Sequence, residues 1–199
     1  MPLWKRCFDI CLASLALGFL SPLLATVWLF VRFTSPGPAL FTQWRTGFRG
    51  KRFLIYKFRT LRYDSDSTNA DLFHLNERDG PAFKIEHDPR ATPIGHILRA
   101  SGVDELPQVW NILKGDMSWV GPRPLPCHES AECRDWQQRR HDVVPGLTCF
   151  WQIRSREVTF DEWMEMDLAY VDRMSPWLDL KILVSTPAVV FRRLHRGRA

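Results

Sequence analysis

Between Asp9 and Arg32 the chain runs for 22 uncharged residues, Ile10 to Val31, rich in Leu, Ala, Val and Phe. As a helix this run is long enough to reach across a bilayer. It exceeds the apolar core of a secretory signal peptide, and no small-residue cleavage pattern follows it. Ser21-Pro22 interrupts the run near its middle, where proline removes a backbone donor and bends the chain. Lys5 and Arg6 precede the run, while Arg32 and a basic stretch follow it, so under the positive-inside rule both flanks prefer the cytoplasm. A kinked spanning helix is one solution. A re-entrant helix-break-helix that enters and leaves the same leaflet satisfies both flanks, with the Ser21 hydroxyl available to a carbonyl freed at the bend. We prefer the re-entrant arrangement, with residues 1–36 as a monotopic anchor and 37–199 as a domain on the cytoplasmic side.

A chain of 199 residues holds one globular core plus an appendage. The formal charge of +5 favours an anionic partner, and the distribution of charge narrows the choice. Seven basic residues and no acid lie between Gln43 and Arg62, whereas acids dominate from Asp64 to Asp88. Basic flanks beside an apolar anchor fit anionic lipid headgroups, and no fold motif for nucleic-acid binding accompanies them. The five cysteines (Cys7, Cys11, Cys127, Cys133, Cys149) have neither disulfide-framework nor zinc-ligand spacing, which points to a reducing compartment. The six histidines are scattered without ligand spacing.

Ser35-Pro36-Gly37-Pro38 marks the boundary after the anchor. Ala39–Trp44 and Phe53–Phe58 read as strands of a hairpin, and 62–80 as a polar loop or lid. Ile94–Ser101, Glu105–Lys114 and His128–Val143 read as helices, Thr148–Ile153 as a strand, and Thr159–Met174 as an amphipathic helix. Pro176 starts a last helix, kinked at Pro187. The fold class expected is α+β, mainly helical, with a small β-hairpin and amphipathic interfacial helices. The nine tryptophans suit a membrane interface, with ordinary core as the alternative.

The chemistry concentrates in Asp104-Glu105-Leu106-Pro107-Gln108, followed by Gly115-Asp116-Met117-Ser118 and Gly121-Pro122-Arg123-Pro124. Adjacent carboxylates can hold a divalent cation, or one of them can attack phosphorus, and an arginine between two prolines can offer its fork to a phosphate at a fixed angle. Asp104 reads equally as the N-cap of a helix running to Lys114 with Gly115 closing its end.

Taken together, these motifs resemble the bacterial sugar transferase family, monotopic phosphoglycosyl transferases that begin glycan assembly on a polyprenyl phosphate. The match includes Lys5-Arg6-x-Phe8-Asp9, Ser21-Pro22, Phe41-x-Gln43-x-Arg45-x-Gly47, Tyr56-Lys57-Phe58-Arg59-Thr60, Asp88-Pro89-Arg90, Asp104 to Gln108, Gly121 to Pro124, Pro145-Gly146-x-Thr148 and Asp179-Leu180-Lys181-Ile182. The resemblance implies that Asp104 attacks the phosphate next to the sugar of a UDP-sugar and releases UMP. Polyprenyl (undecaprenyl) phosphate then takes the phosphosugar from the enzyme.

It further implies Mg2+ held by Glu105 and Asp104, with Arg123 in its Pro122/Pro124 setting against the nucleotide. Lys57, Arg59, Arg90, Gln108 and Asp179 are the supporting site residues, and Ser21 and Pro22 form the membrane break. The implied location is the bacterial inner (cytoplasmic) membrane with the catalytic domain facing the cytoplasm; the partners are UDP-sugar, polyprenyl phosphate and membrane lipids, not nucleic acid, and a homodimer is open. Gly102-Val103 stands where the family often has Ser-Leu, and Cys149-Phe150 replaces a usual glycine and apolar residue. A membrane glycosyltransferase releasing UDP and a non-catalytic membrane adaptor are the competing functions.

Overall fold

Pro22 has no N–H to give to the carbonyl of Gly18, yet the first helix, α1 (Leu3–Thr34), runs through it without an intervening loop. The Ser21 hydroxyl donates to that Gly18 carbonyl at 3.0 Å, the compensation expected from the sequence, and Thr26 Oγ1 donates to Pro22 O at 2.8 Å. The computed structural model describes residues 1–63, 72–154 and 158–196, with side chains to residue 192. Residues 64–71, within the expected lid, lie outside it.

A helix of this length spans roughly 48 Å at about 1.5 Å per residue, and both of its ends are fastened to the same domain. At the start, Lys5 is buried in a pair with Asp179, which also accepts from Tyr170 Oη at 2.7 Å. Arg6 donates to the carbonyls of Ile112 and Leu113, both at 2.7 Å, and Asp9 Oδ1 accepts from Ser118 Oγ at 2.9 Å and from Trp119 N at 3.1 Å. Beyond the apolar middle, Val27 and Val31 pack with Ala39, Phe58 and Leu98. Arg59 then ties down the exit, donating to Pro38 O at 2.7 Å and Ser35 O at 3.1 Å. Between these anchorages Leu15, Phe19 and Leu23 are exposed, and the helix is long and apolar enough to cross a membrane.

The hairpin follows as expected. Strands β1 (Leu40–Thr46) and β2 (Arg52–Phe58) are antiparallel, with Phe41 opposite Lys57 and Arg45 opposite Phe53. After the polar segment come α2 (Pro93–Ser101), a 3-10 turn (Val103–Gln108) and α3 (Val109–Lys114). This corrects the expected helix 105–114. Asp104 is not an N-cap: the position before the turn is Gly102, left-handed at φ 71° and simultaneously the close of α2. A left-handed position favours glycine.

Two parallel strands of three residues, β3 (Ser118–Val120) and β4 (Gly146–Thr148), pair Ser118 with Gly146 and Val120 with Thr148. Neither is long enough to show periodicity, and β3 was not foreseen. The expected helix 128–143 is in pieces: α4 (Cys127–Ala131), α5 (Asp135–Gln138) and a 3-10 turn Arg139–Asp142. Gln137 Oε1 accepts from Arg134 N at 2.8 Å and restarts the helix there. The strand expected over 148–153 stops at Thr148 and becomes α6 (Phe150–Arg154), because Gln152 Oε1 accepts from Cys149 N at 3.2 Å and satisfies a donor at the helix start.

Helices α7 (Phe160–Arg173) and α8 (Pro176–Arg196) complete the fold. Tyr170 and Ile182 from these helices pack with Val120 and Val143, so the last two helices close over the parallel strands. The outer face of α8 exposes Trp177, Leu180, Val184 and Phe191, and α2 and α3 expose Ile97 and Trp110. The observed class is mainly helical with a small hairpin, as expected, and the β3–β4 pair adds a second small sheet.

Asp179→Ala leaves Lys5 buried without its carboxylate, and is expected to cost about 3–5 kcal/mol. Thermal or denaturant unfolding in detergent checks this: an unshifted midpoint would show that the clamp is dispensable.

Candidate active site

Asn111 determines where the carboxylates lie. This fully buried side chain projects from α3 to the hairpin, donating to Leu54 O at 2.7 Å and accepting from Tyr56 N at 3.2 Å, as a neighbouring strand would. The preceding 3-10 turn is thereby pressed against β2, and Glu105 faces Lys57. Lys57 Nζ donates to Glu105 Oε1 at 2.7 Å, while Arg123 Nη2, from the loop after β3, donates to the same oxygen at 2.8 Å. The side chains of Lys57, Glu105 and Arg123 are 15%, 21% and 29% exposed, so they are shielded from water but open to a ligand.

Asp104 differs from its neighbour. Among the described residues its carboxylate has no hydrogen-bond or ion-pair partner, only the fields of nearby charges. Burial, reinforced by the Glu105 charge, pushes Asp104 up to about 6. Burial would also raise Glu105, but Arg123 and Lys57 outweigh it and hold the carboxyl well below the ordinary range. The Glu105 charge drives Arg123 upward, whereas burial draws Lys57 down. Two adjacent carboxylates are thus differentiated by environment, one paired and lowered by its cations, the other unpaired and raised by burial.

The loop that presents Arg123 is gripped through its main chain. Pro122 O accepts from Gly146 N at 2.9 Å, Arg123 O from Arg140 Nη2 at 2.6 Å, and Pro124 O from Arg45 Nη1 at 3.0 Å. A Cβ at Gly146 would stand 2.0 Å from the nitrogen of Gly121, so only glycine permits this approach of β4 to the loop. Pro122 and Pro124 therefore act here as stiff main-chain acceptors on either side of the cation.

The other expected site residues fall into two groups. Arg90 lies beside Asp88, with Nε at 2.9 Å from Oδ1 and Nη2 at 2.8 Å from Oδ2; Arg99 Nη1 approaches Asp88 at 3.6 Å and its charge also reaches Asp104. Gln108 is buried at the end of the carboxylate turn, and its Nε2 has no partner among the described residues. Arg59 and Asp179, by contrast, hold the two ends of α1 and make no contact with the Glu105 group. Ser21 and Pro22 lie in the middle of α1.

Arg45 and Arg99 were not singled out from the sequence. Burial and the Arg123 charge bring Arg45 down to about 10, and its field reaches Lys57. Arg45 sits within the Phe41-to-Gly47 motif, which was a usable signal; Arg99, five residues before Asp104 on a separate helix, offered none.

A half-buried cluster of two carboxylates and two cations, in the same fold as a helix long and apolar enough to cross a membrane, narrows the class, and comparison supplies the family. The chain matches the bacterial sugar transferase family over residues 1–193, and it belongs to that family. It is 38% identical over 197 residues to the undecaprenyl-phosphate galactose phosphotransferase of Salmonella typhimurium, covering 95% of this chain and 40% of that protein. With the galactosyl transferase CpsE of Streptococcus agalactiae it shares 44% identity over 156 residues, 77% of this chain and 35% of the relative. With the exopolysaccharide production protein ExoY of Rhizobium meliloti it shares 37% over 200 residues, covering 95% of this chain and 86% of the relative. The chain thus spans well under half the length of the Salmonella and Streptococcus relatives.

Glu105→Gln removes the like charge beside Asp104 and frees Lys57 and Arg123 to turn toward it. The Asp104 midpoint, followed by NMR of 13C-labelled aspartate carboxyls, is expected to fall from about 6 toward the ordinary ~4. A midpoint that stays or rises contradicts the assigned electrostatics.

Proposed function

We propose that this chain is a phosphoglycosyl transferase that moves a phosphosugar from a UDP-sugar to undecaprenyl phosphate, releases UMP, and works through a covalent intermediate on Asp104. The observation that carries the reading is the unpaired Asp104 carboxylate beside a Glu105 that is already held by Lys57 and Arg123. In the first step an Asp104 oxygen bonds to the phosphorus next to the sugar, the bridging P–O bond breaks, and UMP leaves with the electron pair. In the second, an oxygen of undecaprenyl phosphate bonds to the same phosphorus and the Asp104 carboxylate leaves. An acyl phosphate is a good donor, so one difficult transfer is divided into two feasible ones. The names of the Salmonella and Rhizobium relatives point to the same lipid phosphate and to exopolysaccharide production.

Both substrates are anions that Asp104 alone would repel. Lys57 and Arg123 reduce that repulsion, and Arg123, held at Glu105 through one terminal nitrogen, can turn its remaining donors toward a phosphate. Magnesium is part of the proposal. Among the described residues no group of three acidic, histidine or cysteine side chains could cage a metal, but Mg2+ is usually held by one or two carboxylates plus substrate phosphates, and Asp104 with the second oxygen of Glu105 fits that donor set. When bound, it would neutralise charge developing on the transferring phosphoryl group.

We further propose that α1 is re-entrant and that the protein is monotopic in the bacterial inner membrane, with its catalytic domain in the cytoplasm. Support comes from Lys5 and Asp9 at one end and Arg59 at the other, all engaging the same domain. The apolar outer faces of α2, α3 and α8 would then rest on the headgroup layer.

With undecaprenyl phosphate and magnesium, a panel of UDP-sugars is expected to yield UMP from at least one member, and Asp104→Asn to lose at least a hundredfold, roughly the scale of losing a nucleophile. Because Asp104 must be ionised to attack, UMP release is expected to decline as pH drops through about 6, while Glu105 stays charged throughout. UDP as the nucleotide product, or full turnover in the Asn variant, would sink the covalent reading and favour a transferase moving the sugar alone.

Topology has a separate check. Single cysteines at Leu3 and Leu40, in a cysteine-free background in sealed vesicles, are expected to react with a membrane-impermeant thiol reagent from the same side. Labelling from opposite sides would mean a spanning helix.

A further inference from the structure

Outside the Asp104–Glu105 cluster lies a further buried ion pair that substrate chemistry does not explain. Arg140, in the 3-10 turn after α5, and Asp167, on α7, are 2% and 1% exposed. Arg140 Nε donates to Asp167 Oδ2 at 3.1 Å and Nη2 donates to the same oxygen at 2.6 Å, while the guanidinium lies 5.8 Å from the centre of the Trp163 ring. A buried ion pair is a weak source of stability compared with an apolar replacement, so its geometry is the more informative property.

That geometry has a direction. The same Nη2 that binds Asp167 also donates to Arg123 O at 2.6 Å. Arg123 leaves β3 through a loop that no strand flanks on both sides, so the orientation of its peptide determines where its guanidinium points. The flanking carbonyls are held by Gly146 and Arg45, and the central one is held by Arg140. Arg45 feels the charges of Arg123 and Glu105, whereas the contacts of Arg140 run to Asp167, Trp163 and the Arg123 main chain.

We propose that the Arg140–Asp167 pair is a positioning device for Arg123: Asp167 and Trp163 fix the Arg140 plane, and Arg140 fixes the Arg123 peptide so that its side chain meets Glu105 and the phosphates of a nucleoside diphosphate. The inference rests on the functional reading above for the identity of that ligand. Arg140 is a positioning residue; it touches no reacting atom. A lysine in its place keeps a cation beside Asp167 but loses the Nε contact that, together with Nη2, fixes the plane, leaving one nitrogen on a flexible stem to reach the Arg123 carbonyl.

The test is a double-mutant cycle read by calorimetric binding of UDP to the full-length protein in detergent, comparing wild type, Arg140→Lys, Arg123→Ala and the double variant. Arg140→Lys is expected to weaken UDP binding about tenfold, as displacement of a positioned binding group does, and to add nothing once Arg123 is alanine. A loss of general structural origin would instead multiply in the double variant, and that result overturns the proposal. So does wild-type affinity in Arg140→Lys, or no UDP binding by the wild type. Asp167→Asn keeps an acceptor for Arg140 and replaces the lysine variant if that one does not fold; its weakening must likewise vanish without Arg123. If the cycle behaves as expected while no UDP-sugar yields UMP, the transferase reading fails and the positioning role stands.

Discussion

A carboxylate withdrawn from water has to be matched by cations, and Glu105 is matched by two that come from different parts of the chain. Lys57 arrives on the hairpin and Arg123 on the loop after β3; both converge on one oxygen. Moving any of the three elements would leave a half-buried charge uncompensated. Asn111 sets the same spacing from the other side by taking a strand's place along β2. The hairpin, the carboxylate turn and the Pro-Arg-Pro loop are therefore a single unit, and Asp104 is its one carboxylate left without a direct partner.

This arrangement separates two jobs that a pair of neighbouring acids could otherwise confuse. Glu105 is committed to organising cations. Asp104 is buried beside it and resists ionisation, so that it is more basic than an ordinary aspartate while still mostly charged near neutral pH. The positive charges of Lys57, Arg123 and Arg99 all act on Asp104 and oppose its upward shift.

Much of this was legible in the sequence because it rested on local chemistry. The apolar run with its Ser21-Pro22, the hairpin, and the Asp104-Glu105 and Pro-Arg-Pro motifs each follow from residue type and spacing. What could not be read was decided by distant partners. Gln137 and Gln152 start helices through side-chain acceptors, and β3 and β4 become strands only because they find each other. Arg59 and Asp179 illustrate the same limit: a charge within a motif does not disclose its partners in the chain, and the fold places Arg59 on the carbonyls of Ser35 and Pro38 and Asp179 against Lys5.

Lys5 and Asp179 are 174 residues apart. Lys5 lies in the first turn of α1 and its counter-ion on α8, so the pair cannot close until the whole of the intervening chain has been made. Arg6 and Asp9 can dock on α3 and β3 before that, whereas Lys5 lacks its carboxylate until α8 has formed, and such a long-range closure is among the slower events of folding. The buried ion pair therefore closes only when α1 and α8 have both found their places, and it records that assembly is complete.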